Sequence, residues 1–499
     1  MSRLRFLALS TAILLIAFAL RMISLGDDSL WSDEAFTVFF ADAPAGEFVP
    51  LLLTDGVHVP LYFALMRALS TGSDLMLRWP SVLLGVGGIA LMIRVTLRLY
   101  SNRSLALWAG LLLACNPYHV WFSRQARPYA LFFVVALLAS YYFLTLLSGK
   151  RSTARWVGFG LSSAAAYLTH FFAAALPMAQ YAVLGFALQG NRRMFRQWLL
   201  VQLVALAPLA WWIYRLVTQE VVSFGIAWIP KPILADLPLT LANMGIGTDG
   251  LRTMLLLPAL IALVVGLIGG IRNAWKVWRY DRADLYWFWL MILTLVPVFL
   301  LSQIRPIYVD RYFMVLLPGL LLLVLRGWSV MSRTRWSLAQ SSSPATKLPG
   351  SRLFNALAAI LIISGAAQVL WSVMHEENER QSWHGVSAFV ADEYLPGDGF
   401  VMEPALSLLP FLRYWEDEAL LRANLIPPED AEAALHNRLW AIVTNPNVNV
   451  HREQAGESLD PFAPSDSILS RWLIAQRDHV EAQHEVNGVA ALLIVQGTD

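Results

Sequence analysis

Charge is scarce in this chain. Only 14% of its 499 residues are Asp, Glu, Lys or Arg, while 57% are hydrophobic. A soluble protein of this size carries about 25% charged residues. The shortage excludes an ordinary water-soluble protein, and a mean hydropathy of +0.54 agrees. Cysteine is almost missing as well. The lone Cys115 lies in an apolar run, which excludes an intramolecular disulfide and leaves the redox compartment unread. No internal repeat is present. What the chain has in quantity is aromatic side chains: its 20 Trp and 15 Tyr suit the interfacial belts of a many-helix bundle. The expected fold class is an α-helical polytopic membrane protein.

Apolar runs divide the chain. The first, Leu4–Leu25, follows Arg3 and Arg5. Ala17-Phe18-Ala19 fits a small-x-small cleavage site. The run continues through Ile23 and Leu25, which favours an uncleaved anchor. Further runs at 79–97, 104–122, 129–147, 156–169, 171–188, 198–216, 251–271, 284–303, 311–326 and 353–374 bring the expectation to about eleven transmembrane helices. The net charge of +2 says little, because the distribution of charge matters more than its sum. More than half of the 37 Lys and Arg fall in short segments assigned to the inner side, such as Arg94, Arg98 and Arg103, or Arg272, Lys276, Arg279 and Arg282. Reading the runs around His170 as one span would invert everything downstream, so they are read as two.

Residues 1–374 thus form the expected membrane domain, with a large first outer loop at 26–78. Within that loop Phe36, Phe39 and Phe40, then Leu61, Tyr62, Leu65 and Met66, recur at helical spacing and suggest interfacial helices. Residues 333–352, with the run Ser341-Ser342-Ser343-Pro344, read as a flexible inner loop. Residues 375–499 have the composition of a small soluble α/β domain, expected on the outer side. The turn Pro396-Gly397-Asp398-Gly399 leads into a strand at Phe400-Val401-Met402, with further strands at 439–444 and 489–496 and a helix over Trp383–Tyr394. That tail carries no catalytic motif.

The polar chemistry gathers on the outer side. Asp33 and Glu34 follow the first span, in Leu30-Trp31-Ser32-Asp33-Glu34-Ala35-Phe36-Thr37. Carboxylates near a membrane need charge partners or a proton-transfer role. The plainer reading is a helix start, with Ser32 as cap and acids in the first turn. His58 lies in the same loop, as a proton carrier, a hydrogen-bond donor, a ligand or a surface residue beside a turn. In Ser123-Arg124-Gln125-Ala126-Arg127-Pro128-Tyr129, the two guanidinium groups match a phosphate headgroup, or anchor the chain at the interface together with the aromatic rings. Thr169-His170 sits where two short spans meet, facing an outer cavity. Asp310-Arg311-Tyr312 again brings Arg and Tyr to that side.

Taken in order, Leu30-Trp31-Ser32-Asp33-Glu34-Ala35, His58-Val59-Pro60-Leu61-Tyr62, Arg78-Trp79-Pro80-Ser81, Ser123 to Tyr129, Thr169-His170-Phe171 and Asp310-Arg311-Tyr312 resemble one group over about residues 1–330. That group is the GT-C membrane glycosyltransferases related to protein O-mannosyltransferases and to the lipid A aminoarabinose transferase. Trp383 to Val401 also resembles the start of the tail domain of bacterial members. The resemblance implies a GT-C fold and a polyprenyl-phosphate-linked sugar as donor, used on the outer face of the plasma (inner) membrane. It implies Asp33 as catalytic base with Glu34 beside it, and Arg127 and Arg311 near the donor phosphate with Arg124 assisting. His58, Tyr129, His170 and Tyr312 complete the candidate site. His58 matches the histidine of a His-Pro-Pro motif, but Val59 stands between it and Pro60 here. Metal use differs within the group, so a divalent metal is left open and no metal ligand is assigned.

The expected reaction is an inverting transfer of the sugar to a lipid, glycan or protein acceptor, with no nucleic-acid partner. A positioned base contributes about 10²–10⁴-fold to such a step. The alternative is a transporter or flippase of lipid-linked sugars. It would be expected to carry polar groups towards the inner face, where the loops are short, basic and without motifs.

Overall fold

The computed structural model describes residues 1–27, 29–56, 58–69, 72–187, 192–218, 229–247, 256–277, 279, 281–339, 349–374, 382–403, 407–434, 438–444, 468–486 and 489–495. A long apolar run leaves its backbone no hydrogen-bond partner in a bilayer except itself, so it folds as helix. In chain order the first helices are α1 (Arg3–Met22), α2 (Ser32–Asp42), α3 (Phe48–Asp55), α4 (Pro60–Leu69) and α5 (Asp74–Tyr100). Then come α6 (Arg103–Ala114), α7 (Pro117–Ser123), α8 (Tyr129–Leu147), α9 (Thr153–Tyr167), α10 (Ala175–Ala187) and α11 (Arg192–Thr218). The series continues with α12 (Asp236–Ile246), α13 (Leu256–Val277), α14 (Ala283–Ser302), α15 (Leu317–Ala339) and α16 (Pro349–Met374). Beyond them lie α17 (Trp383–Glu393), α18 (Leu408–Tyr414), α19 (Glu418–Ala423) and α20 (Ile468–Ala475). The strands are β1 (Gly399–Glu403), β2 (Leu439–Thr444), β3 (Val480–Val486) and β4 (Val489–Ile494).

Among the described residues eight helical segments are long and apolar enough to cross a membrane. They lie in α1, α5, α8, α11, α13, α14, α16 and Asp310–Ser332, where a 3-10 turn runs into α15. The pair α6 and α7, bent by 61° at its break, makes a ninth if it is one span. Each of the eleven apolar runs of the sequence contains helix, although turns and 3-10 segments interrupt several of them, as at Cys115-Asn116. The two that meet at His170 are too short to qualify, and with the bent pair they account for the lower count.

The chain divides into two compact units. The first comprises Met1–Ile23, Ala43–Leu69 and Met76–Trp371; the second comprises Ser24–Asp42, Ser70–Leu75 and Ser372–Asp499. The sequence suggested a single cut after residue 374. Two short segments of the first loop, one of them carrying α2, cluster with the tail.

In the first unit, α13 packs along α15 through small residues. A β-carbon at Gly270 or Gly327 would overlap the backbone of the facing helix, so only glycine allows this approach. Near this pair a fully buried carboxylate, Asp284 of α14, ties four helices. It accepts from Tyr100 Oη at 2.7 Å, Asn273 Nδ2 at 2.8 Å and Arg326 Nε at 2.9 Å. The Arg326 guanidinium also lies 4.8 Å from the centre of the Tyr100 ring. Every polar atom in such a network needs a partner when water is excluded.

In the second unit the sheet runs β1-β2-β4-β3, with β1 and β2 parallel and the other pairs antiparallel. Alternation along β1, β2 and β4 sends apolar residues to both faces. Phe400, Trp440, Ile442 and Leu493 meet Trp383, Val386 and Phe411 on one side; Val401, Ala441 and Leu492 meet Leu469 and Leu473 on the other. The helix and three strands expected of the tail are all present. β3 was not anticipated: with Glu481, Gln483 and Glu485 along it, this edge strand lacks the apolar signature of its neighbours.

Candidate functional site

A cavity of about 360 Å³ opens in the first unit where five separated segments converge, one of them contributing only Ile229. One is the start of α4, with His58, Val59 and Phe63; a second is the start of α8, with Arg127, Pro128 and Tyr129. The junction of α9 with the 3-10 turn Phe171–Ala174 gives Thr169, His170 and Phe172, and the segment before α15 gives Arg305, Ile307 and Tyr312. The sequence candidates His58, Arg127, Tyr129, His170 and Tyr312 therefore share one cavity.

His58 is held on both ring nitrogens. Its Nδ1 lies 2.7 Å from Asp55 Oδ2, which also accepts the His58 backbone N–H at 3.0 Å. Its Nε2 lies 3.2 Å from Arg127 Nη2. A guanidinium only donates, so Nε2 accepts and the ring proton sits on Nδ1, donated to Asp55. The backbone makes this possible locally. α3 ends at Asp55, and Gly56 follows with φ 73°, the left-handed conformation that closes a helix and turns the chain towards His58. Trp212 Nε1 donates to the His58 carbonyl at 3.2 Å.

His170 caps the next segment: its Nδ1 accepts the Phe172 N–H at 3.2 Å, which leaves its ring proton on Nε2. The ring stacks on Phe132 at 4.8 Å and lies 5.1 Å from the Tyr312 ring. Burial, reinforced by the neighbouring His58 ring and the guanidinium charges of Arg127 and Arg311, pushes its pKa down to about 3. It is therefore a neutral hydrogen-bond donor at physiological pH, and a weak base.

The arginines divide in role. Arg127, largely buried, reaches the cavity wall. Arg311 does not line the cavity; its guanidinium lies 5.7 Å from the centre of the Tyr312 ring, near enough for its charge to act on His170. The segment bearing it is pinned from α12. Asp310 accepts from Thr240 Oγ1 at 2.7 Å and Asn243 Nδ2 at 3.0 Å, and its carbonyl accepts the Tyr118 hydroxyl at 2.7 Å. Arg124 donates to the carbonyls of Arg21 at 3.2 Å and Ile23 at 2.6 Å, fixing the end of α1, and does not line the cavity. Arg305, exposed and lining the cavity, and Asp55 were not singled out from the sequence. The Asp55-Gly56-x-His58 spacing was the signal for the second; nothing but position marks the first.

Asp33 and Glu34 lie in the second unit, in the first turn of α2, where Glu34 is buried and Asp33 half-buried. Trp31 occupies the cap position instead of Ser32. Its carbonyl accepts the N–H groups of Glu34 at 2.9 Å and Ala35 at 3.0 Å. Among the described residues no cluster of three or more His, Cys, Asp or Glu side chains forms a metal-type site.

Comparison with known proteins follows the same lines. Residues 56–215 match the dolichyl-phosphate-mannose-protein mannosyltransferase family. No curated protein matches the sequence. Among solved structures, ArnT from Cupriavidus metallidurans bound to undecaprenyl phosphate is similar, with a TM-score of 0.60 at 13% identity, over 99% of this chain and 98% of that one. The apo form of the same protein gives 0.59 at 13% identity over 97% of each chain. The Archaeoglobus fulgidus oligosaccharyltransferase in its apo form gives 0.54 at 11% identity, over 89% of this chain and 70% of that one. Over nearly its whole length the chain therefore shares the fold of ArnT and, less fully, that of the archaeal oligosaccharyltransferase.

Proposed function

We propose that this protein is an inverting glycosyltransferase of the inner membrane, moving a sugar from a polyprenyl-phosphate donor to an acceptor hydroxyl on the outer face. The carrying observation is the cavity, on which His58, Arg127, Tyr129, His170 and Tyr312 converge from loops far apart in sequence. The basic inner segments support the orientation, with the tail extracytoplasmic. The undecaprenyl phosphate bound by the structurally similar ArnT supports the class of donor.

In this reading the isoprenoid chain lies between helices and the donor phosphate meets Arg127 and Arg311, with Arg124 bracing the turn behind them. Asp33 takes the proton of the acceptor hydroxyl, and Glu34 supports it. The freed oxygen attacks the anomeric carbon as the bond from that carbon to the phosphate oxygen breaks. The configuration inverts, because no covalent enzyme intermediate forms. The charge left on the polyprenyl phosphate is stabilised by fixed guanidinium groups, the electrostatic device that usually contributes most to such steps. The low pKa of His170 supports giving the base role to a carboxylate.

Purified protein incubated with a lipid-linked sugar should release free polyprenyl phosphate. Asp33→Asn should slow that release by about 10²–10⁴-fold. A well-inserted Asp33→Asn protein at full activity would remove the base assignment. Movement of the intact lipid-linked sugar across vesicles without release would mark a transporter.

A further inference from the structure

The second unit joins three stretches of chain, and the way they are joined bears on the acid-bearing helix. α18 of the tail packs against α2. At the end of α18, the Tyr414 hydroxyl sits at a junction. It accepts the N–H of buried Leu30 at 2.6 Å and donates to Asp74 Oδ2 at 2.5 Å. Arg413 beside it holds the other oxygen of the same carboxylate, Nε at 3.2 Å and Nη2 at 2.9 Å, and Nη2 also donates to the Gly72 carbonyl at 2.5 Å. From α17, the His384 N–H donates to Ser29 Oγ at 3.1 Å, and Ser387 Oγ donates to the Tyr414 carbonyl at 3.0 Å.

These contacts converge on the lead-in to α2. The backbone gripped at Ser29 and Leu30 immediately precedes Trp31, the residue that starts the helix, and Asp33 lies within the first turn. Hydrogen bonds to a carboxylate are short, and about twice as strong as neutral ones. A loop held by them loses freedom that a solvated segment keeps. The contacts described above fall on the lead-in and on residues 72–74.

We infer that the tail domain is a positioning element for the acid-bearing helix: Tyr414 and Arg413 set where α2 begins and how its first turn is held. The catalytic consequence rests on the reading of Asp33 as the base; the tether itself does not. If the tail sets the base, its loss slows the chemical step and leaves donor binding largely alone.

The test uses the full-length protein in nanodiscs with Tyr414→Phe, Arg413→Ala and Arg413→Lys. Hydrogen exchange reports the tether directly. Tyr414→Phe and Arg413→Ala should raise exchange over residues 29–36 by about tenfold or more, with the strands β1 and β2 unchanged. The same two variants should lower kcat by about tenfold while donor KM stays within about twofold, and Arg413→Lys should restore most of the rate. Unchanged exchange over residues 29–36 would overturn the tether. Equal loss of protection in β1 and β2 would make Tyr414 a general stability residue and overturn it as well. Faster exchange in α2 with kcat unchanged would sink the positioning role. A wild-type protein inert towards lipid-linked sugars, yet showing the exchange change, would instead sink the transferase reading and leave the tether standing.

Discussion

Two polar clusters of the first unit invite comparison, because both bury charge in an apolar bundle and do it differently. Around Asp284 the carboxylate is enclosed by Tyr100, Asn273 and Arg326, and it ties α5, α13, α14 and α15 together. Around His58, Arg127 and His170 the groups line an open cavity, and the nearby carboxylate of Asp55 is engaged by His58. A closed ion pair with every oxygen engaged is a structural tie. Arg127 and the His170 ring N–H, both on the wall of one cavity, offer an anion donors in one place. The difference separates the stabilising charges of this protein from those proposed to act.

The comparison can be broken by substitution. The largest effect is expected at Arg326→Ala, which leaves Asp284 buried without its cation. It should cost about 3–5 kcal/mol of stability, read by thermal unfolding in detergent. Arg127→Ala should cost clearly less than Arg326→Ala, because its ring partner His58 is neutral, whereas Asp284 is a buried carboxylate that loses its cation. Equal destabilisation by the two variants would erase the distinction. The smallest effect concerns acid. The folded-state pKa of His170, about 3, lies below its ordinary value of 6.5, so the unfolded chain binds the proton more readily. His170 therefore contributes to a loss of stability as pH falls from about 6.5 towards 3. His170→Gln should flatten that part of the stability profile, and an unchanged slope would argue against a buried neutral ring.

Much of this architecture was legible in the apolar runs. Each of the eleven runs contains helix, because a stretch such as Tyr129–Leu147 has no other way to satisfy its backbone in a bilayer. Exact lengths were less legible: α6 and α7 form one apolar run yet bend by 61°, with Pro117 opening the second helix. α12 was missed, since Asp236–Ile246 is short and carries Pro238 in its first turn. The cavity was partly legible. His58, Arg127 and His170 stood out by residue type, whereas Asp55 and Arg305 acquire meaning only from neighbours brought in by the fold. The attachment of α2 to the tail could not be read at all. It depends on Leu30 meeting Tyr414, a pairing across most of the chain that no local pattern encodes.

The cavity beside His58, Arg127 and His170 is proposed to hold the donor phosphate. Titration of nanodisc-embedded protein with undecaprenyl phosphate tests it most directly, comparing wild type with Arg127→Ala and Arg326→Lys. Binding should be saturable, weaken by about tenfold or more in Arg127→Ala through loss of a charged hydrogen bond, and stay near wild type in Arg326→Lys. Binding of equal strength in wild type and Arg127→Ala would contradict that proposal.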